Sequence, residues 1–86
     1  MPTVSTFFGI VIEMFWREHG PPHFHATYAE SEAVIDIDSF EILRGGLPRR
    51  AKSLVLEWAQ EHHDALRVNW DLCSRLMQPN PIPPLE

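Results

Sequence analysis

Between residues 7 and 16 the chain reads FFGIVIEMFW, and alternate positions divide into two sets. Phe8, Ile10, Ile12, Met14 and Trp16 are all apolar; Gly9, Val11, Glu13, Phe15 and Arg17 are mixed. Successive side chains of a strand point to opposite faces, so this period predicts a strand whose first set meets the core. Residues 2–5 read as a short lead-in. Residues 23–28 predict a second strand, with Phe24, Ala26 and Tyr28 alternating with His23, His25 and Thr27. After a turn at 29–31, residues 32–38 predict a third, with Ala33, Ile35 and Ile37 on one face. A short fourth strand over 40–43 would end at Gly45-Gly46.

At Leu47 the period changes. Pro48 suits the first position of a helix, and Ala51, Leu54, Val55, Trp58, Ala59 and His62 follow at spacings of three and four. His62, His63 and Asp64 mark a bend or cap. Leu66, Trp70, Cys73 and Met77 continue a helical stripe with Asn69 and Leu76 at its edges, and Pro79 stops it. Strands followed by helices imply an α+β domain. The expected architecture is a three- or four-stranded antiparallel meander with both helices packed on one face. Residues 1–78 form this single domain, and 79–86 form a proline-rich tail, extended and poorly ordered. His23, His25, Glu13 and Asp36 would line the other, wet face.

Twelve acidic residues against seven basic ones set a formal charge of -5. That disfavours nucleic acid as a partner, since phosphate neutralisation by cations supplies most non-specific affinity. A single cysteine, Cys73, excludes an intrachain disulfide and fits a reducing compartment. With no signal-peptide pattern and no apolar run of membrane-spanning length, the expectation is a soluble, cytoplasmic protein without a membrane partner.

The candidate chemistry sits in WREHGPPHFHA, residues 16–26, which holds His19, His23 and His25. Two residues apart on a strand, His23 and His25 point the same way. They can share a divalent metal such as zinc or nickel, with Glu18, His19, Glu13 or Asp36 completing the set. Acid–base chemistry is the other option, because imidazole titrates near neutrality. His-x-His is a short pattern, however, and the plainer reading is preferred: polar residues on a solvated face or hydrogen-bonded near the turn. Arg49, Arg50 and Lys52, with Arg44 just before, fall at the positive end of the first helix, which is unfavourable in isolation. An anion would offset this; internal pairing with Glu30, Glu32, Asp36 or Asp38 is the preferred account. Trp16, Trp58 and Trp70 read as core or helix–helix contacts, and Cys73 as a buried, inert thiol. Phosphate-cradling glycine loops and Ser-His-Asp signatures are absent.

FFGIVIEMF, EHGPPHFHATY, EAVIDID, LPRRA, LVLEWA and NW together resemble the domain-of-unknown-function 4160 family of small bacterial proteins, from about Met1 to Cys73. The motif positions carried over are His19, Pro21, Pro22, His23, Phe24, His25, Pro48, Arg49, Arg50 and Trp58, and the resemblance gives none of them a role. It implies a protein often encoded beside a second small domain, in pairs that look like toxin–antitoxin operons; some members bear a transcriptional-regulator label.

The expected function is therefore a small intracellular interaction or regulatory module, working through a surface made of His19, His23, His25, Arg49 and Arg50. Its expected partner is a small protein, with a homodimer as another option because a small sheet has two open edges. The alternative is a metal- or histidine-dependent enzyme acting on RNA through His23 and His25. Whether the protein is an enzyme at all stays open at the level of sequence.

Overall fold

The computed structural model describes residues 2–86; Met1, the first residue of the expected 1–78 domain, lies outside them. Five strands precede two helices: β1 (Thr3–Phe7), β2 (Ile10–Glu13), β3 (His23–Tyr28), β4 (Ser31–Asp36), β5 (Ile42–Gly45), α1 (Arg49–Glu61) and α2 (His63–Ser74). The strands form one antiparallel sheet in the order β1-β2-β3-β4-β5. The α+β meander stands, with five strands where three or four were expected.

The extra strand arises where residues 7–16 were read as one run. Phe8 and Gly9 both take positive φ, 50° and 80°, and Phe7 pairs with Ile10. This is a two-residue hairpin turn whose second position suits glycine. The lead-in thereby becomes β1, and Phe7 enters the core while Phe8 is 60% exposed. Trp16 lies beyond β2 and is largely exposed rather than in the core; its indole Nε1 donates to the Met77 carbonyl at 2.9 Å. Ile10, Ile12 and Met14 are buried as their alternation requires.

Cross-strand partners share a face, so Ile12, Ala26 and Ala33 form one row, and Phe24 stands beside Ile35. These residues pack with Ala51, Val55, Trp58 and Ala59 of α1 and Leu66 of α2 in one apolar cluster. Trp58 is fully buried, with ring centroids 5.4 Å from Phe7 and 5.9 Å from Phe24. His62 ends α1 and precedes α2, the bend its sequence position suggested.

The β4–β5 connection is shaped by Asp36. Its Oδ1 accepts the backbone N–H groups of Asp38 at 2.8 Å and Ser39 at 2.9 Å. The Ser39 bond is the main reason its carboxyl sits below the ordinary value; desolvation opposes the shift, and the Asp38 bond reinforces it. A group depressed on folding stabilises fully above its unfolded pKa, and the contribution is lost as pH falls through the folded value. Urea midpoints of wild type and Asp36→Asn should therefore differ most near neutrality and converge in acid. A pH-independent gap would reject the assignment. Further on, Gly45 takes φ 74°, and a Cβ there would collide with the Glu32 carbonyl oxygen, so glycine is required where β5 closes onto β4.

The segment 79–86 differs most from expectation. It is extended, as four prolines dictate, but it is packed into the core rather than loose. Pro79, Ile82 and Leu85 are buried. The Ile82 N–H donates to the Val4 carbonyl at 2.8 Å, and the Trp58 indole Nε1 donates to the Pro83 carbonyl at 2.9 Å. Buried Asn69 of α2 bonds both ways to the Asn80 backbone, at 2.8 Å each. Proline has no N–H to satisfy, so a few such partners suffice to seat the segment. Among the described residues no helix is long and apolar enough to cross a membrane.

Candidate functional site

Alternation along β3 sends Phe24 and Ala26 into the core and His23 and His25 to the opposite face. There His25 stands across from Glu13 on β2 and Val34 on β4, and His23 across from Asp36. The loop between β2 and β3 folds back over them, turning at Arg17 (φ 64°) and Gly20 (φ 91°). It is anchored where the Ile37 N–H donates to the Pro22 carbonyl at 2.9 Å. This return carries Glu18 onto both rings. Glu18 Oε1 lies 3.2 Å from His23 Nε2 and 2.7 Å from His25 Nε2.

The rings are held from their other sides too. His23 Nδ1 is 2.9 Å from the Pro21 carbonyl oxygen. His25 Nδ1 is buried without a hydrogen bond, although Glu32 Oε2 lies 3.4 Å away. Phe15 meets His25 edge-on at 4.5 Å between centroids, and Trp70 of α2 tilts over His23 at 5.0 Å. His23 and His25 are consequently only 8% and 7% exposed, so the solvated-face reading is corrected: Phe15 and Trp70 cover the rings. Burial alone would raise the Glu18 carboxyl, but hydrogen bonds and charge from His25 and His23 outweigh it and hold it below the ordinary value.

One nitrogen from each of His23 and His25 and one Glu18 oxygen all lie within 4.8 Å of one another. Of the four residues named to complete the set, the fold selects Glu18. His19 is exposed and outside the cluster. Glu13 is a strand neighbour, and Asp36 is engaged in its turn. Trp70 was read only as a helix contact, and no local pattern marks it as a cover for His23. A cleft of about 10 Å³ beside Glu18, walled by Phe15, Arg17, Trp70, Cys73 and Ser74, has room for roughly one water. Cys73 is buried, and burial pushes its thiol up, as an inert group requires.

A second feature lies at the other end of β3, where Tyr28 is roughly 10 Å from His25 and roughly 17 Å from His23 at ~3.3 Å per residue. Phe8, Tyr28, Pro48, Arg50 and Leu54 line an apolar groove of about 160 Å³ at the start of α1. The internal pairing expected for Arg44, Arg49, Arg50 and Lys52 is not formed: among the described residues none makes an ion pair within 4.0 Å. Three of the four acids expected to pair are engaged elsewhere, and among the described residues exposed Glu30 makes no ion pair at all. Asp38 bonds His63 and Arg67, Glu32 leans toward His25, and Asp36 holds its turn. Helix α1 thus carries cations in its first turn and Glu57 and Glu61 toward its end, against its dipole at both ends. Each such placement costs about 0.3–1 kcal/mol at low salt. The histidines and the arginines therefore form two separate places, not the single joined surface expected.

A five-stranded α+β domain, with an imidazole–carboxylate cluster at one end of its central strand and an apolar groove lined by Arg50 at the other, is the class this structure defines. The chain belongs to the family described as Domain of unknown function (DUF4160), whose model matches residues 9–71. That span includes Glu18, His23, His25, Arg49, Arg50 and Trp70 and leaves the buried 79–86 segment outside. No curated protein and no solved structure matches the chain.

Proposed function

We propose that this protein is a small cytoplasmic interaction module that docks an acidic partner protein in the groove at the start of α1. A two-gene, toxin–antitoxin-like arrangement with a neighbouring small protein fits this reading. The observation that carries it is an apolar groove lined by Arg50, a cation that, like the preceding Arg49, has no internal partner among the described residues, in a chain whose net charge is -5. Cations held against a helix dipole gain most when an external carboxylate arrives, and the apolar walls offer an anchor for one aromatic or aliphatic side chain.

The test is Arg49→Glu/Arg50→Glu. The wild type should capture the neighbouring gene's product at micromolar concentration, and the double variant should not. The same variant should be slightly more stable to urea, by about 0.3–1 kcal/mol per charge, because it removes repulsion with the helix end. Equal capture by both proteins, or none by the wild type, would sink the reading.

The alternative, an RNA-directed enzyme using His23 and His25, has less support. Both rings are buried, the one-water cleft nearby is lined by Glu18 and not by them, and a nucleotide would need Phe15 or Trp70 to move aside.

A further inference from the structure

We infer that Glu18, His23 and His25 form a binding site for one divalent transition-metal ion of the zinc class, held through both imidazole Nε2 atoms and a Glu18 carboxylate oxygen. This site is independent of the docking groove.

The argument starts from which nitrogen carries the proton. A carbonyl oxygen only accepts, so His23 Nδ1, 2.9 Å from the Pro21 carbonyl, must be the protonated nitrogen. In the neutral ring Nε2 is then a lone pair, and it faces a Glu18 carboxylate oxygen at 3.2 Å. Two acceptors face each other. The contact becomes favourable only when positive charge stands between them, as a proton on Nε2 or as a metal ion.

His25 is less constrained: its Nε2 addresses the same oxygen at 2.7 Å and can donate to it in the neutral ring, while its Nδ1 is buried and unpaired beside Glu32 Oε2. A metal on Nε2 obliges His25 to carry its proton on Nδ1, where Glu32 is the nearby acceptor. Metal-bound imidazoles usually donate their far N–H to a backbone carbonyl or a carboxylate; His23 has the carbonyl of Pro21, and His25 has the Glu32 carboxylate 3.4 Å away, not yet hydrogen-bonded.

The spacing agrees. Tetrahedral bonds of about 2.0–2.1 Å place ligand atoms about 3.3 Å apart. The observed separations, 2.7 and 3.2 Å with none above 4.8 Å, need adjustments of at most about 1.5 Å to reach that spacing. Two imidazoles and a carboxylate suit a borderline dication better than magnesium or calcium, which prefer all-oxygen sets. The one-water cleft beside Glu18 brings a water to the carboxylate side of the cluster.

The experiment is zinc titration of the tag-free, chelator-treated full chain, by calorimetry and by long-range proton–nitrogen NMR of the imidazoles. Wild type should bind one zinc per chain, with both Nε2 signals shifting and both Nδ1 atoms protonated. Glu18→Gln keeps a polar side chain on a surface loop and should fold; it should lose at least about tenfold in affinity. His19→Ala, outside the cluster, should bind as wild type does. Absence of saturable binding by wild type, coordination through Nδ1, a smaller loss in Glu18→Gln, or an equal loss in His19→Ala would each overturn the assignment. Loss of partner capture in Arg49→Glu/Arg50→Glu with zinc affinity unchanged separates this site from the groove.

Discussion

Removing residues 79–86 should destabilise the domain by about 2–4 kcal/mol, seen as a lower urea midpoint. Ile82 and Leu85 are buried, and each such side chain contributes roughly 1.5–3 kcal/mol relative to exposure. The gross contribution is partly offset by the entropy of ordering the segment. That offset is reduced because Pro79, Pro81, Pro83 and Pro84 have little backbone freedom to lose. Truncation also strips the cover from Trp58 and unpairs Asn69, which would then sit against solvent. A domain of this size has roughly 4–13 kcal/mol in total, so the truncated chain should be visibly marginal. An unchanged midpoint would make the segment an appendage.

Trp58→Ala should cost about 3–5 kcal/mol, the usual toll for emptying a large aromatic site in a core. Trp58 is the point where three layers meet: Phe7 and Phe24 from the sheet, α1 itself, and the Pro83 carbonyl of the terminal segment. Trp58→Phe keeps most of the ring but removes the indole donor, and should cost less. Because Trp58 and the segment share contacts, their effects should not add. In the chain lacking 79–86, Trp58→Ala should cost at least about 0.5 kcal/mol less than in the full chain. Strict additivity in denaturant melts would mean that the two act separately.

The parts of this fold that were legible in the sequence are those written as a period. The stripe Ala51, Val55, Trp58, Leu66 and Cys73 and the strand rows Ile10–Ile12 and Phe24–Ala26 are buried as their spacing requires. The hairpin at Phe8-Gly9 was hidden because apolar alternation runs in phase straight through it. Placing His23 and His25 on one face needed only the two-residue period. Their burial did not follow, since Phe15 and Trp70 reach them from a loop and a helix distant in sequence. Internal pairing of the arginines is not legible from composition, because Glu32, Asp36 and Asp38 are engaged by partners distant from the arginines and Glu30 reaches none of them. The depth of 79–86 was illegible for a similar reason: its acceptors and donors, Val4, Trp58 and Asn69, lie far along the chain.

The bond from Ile82 to Val4 joins points almost a full chain length apart, whereas neighbouring strands of the meander are joined by only two to nine residues. Closing so large a loop is entropically the last step to be rewarded, so the sheet and helices should assemble first and the terminal strap should dock last. The reverse order governs breathing of the native state: the strap lifts before the sheet parts. Amide exchange at Ile82 and Asn80 then reports this opening alone, while the amides of β3 report the global one.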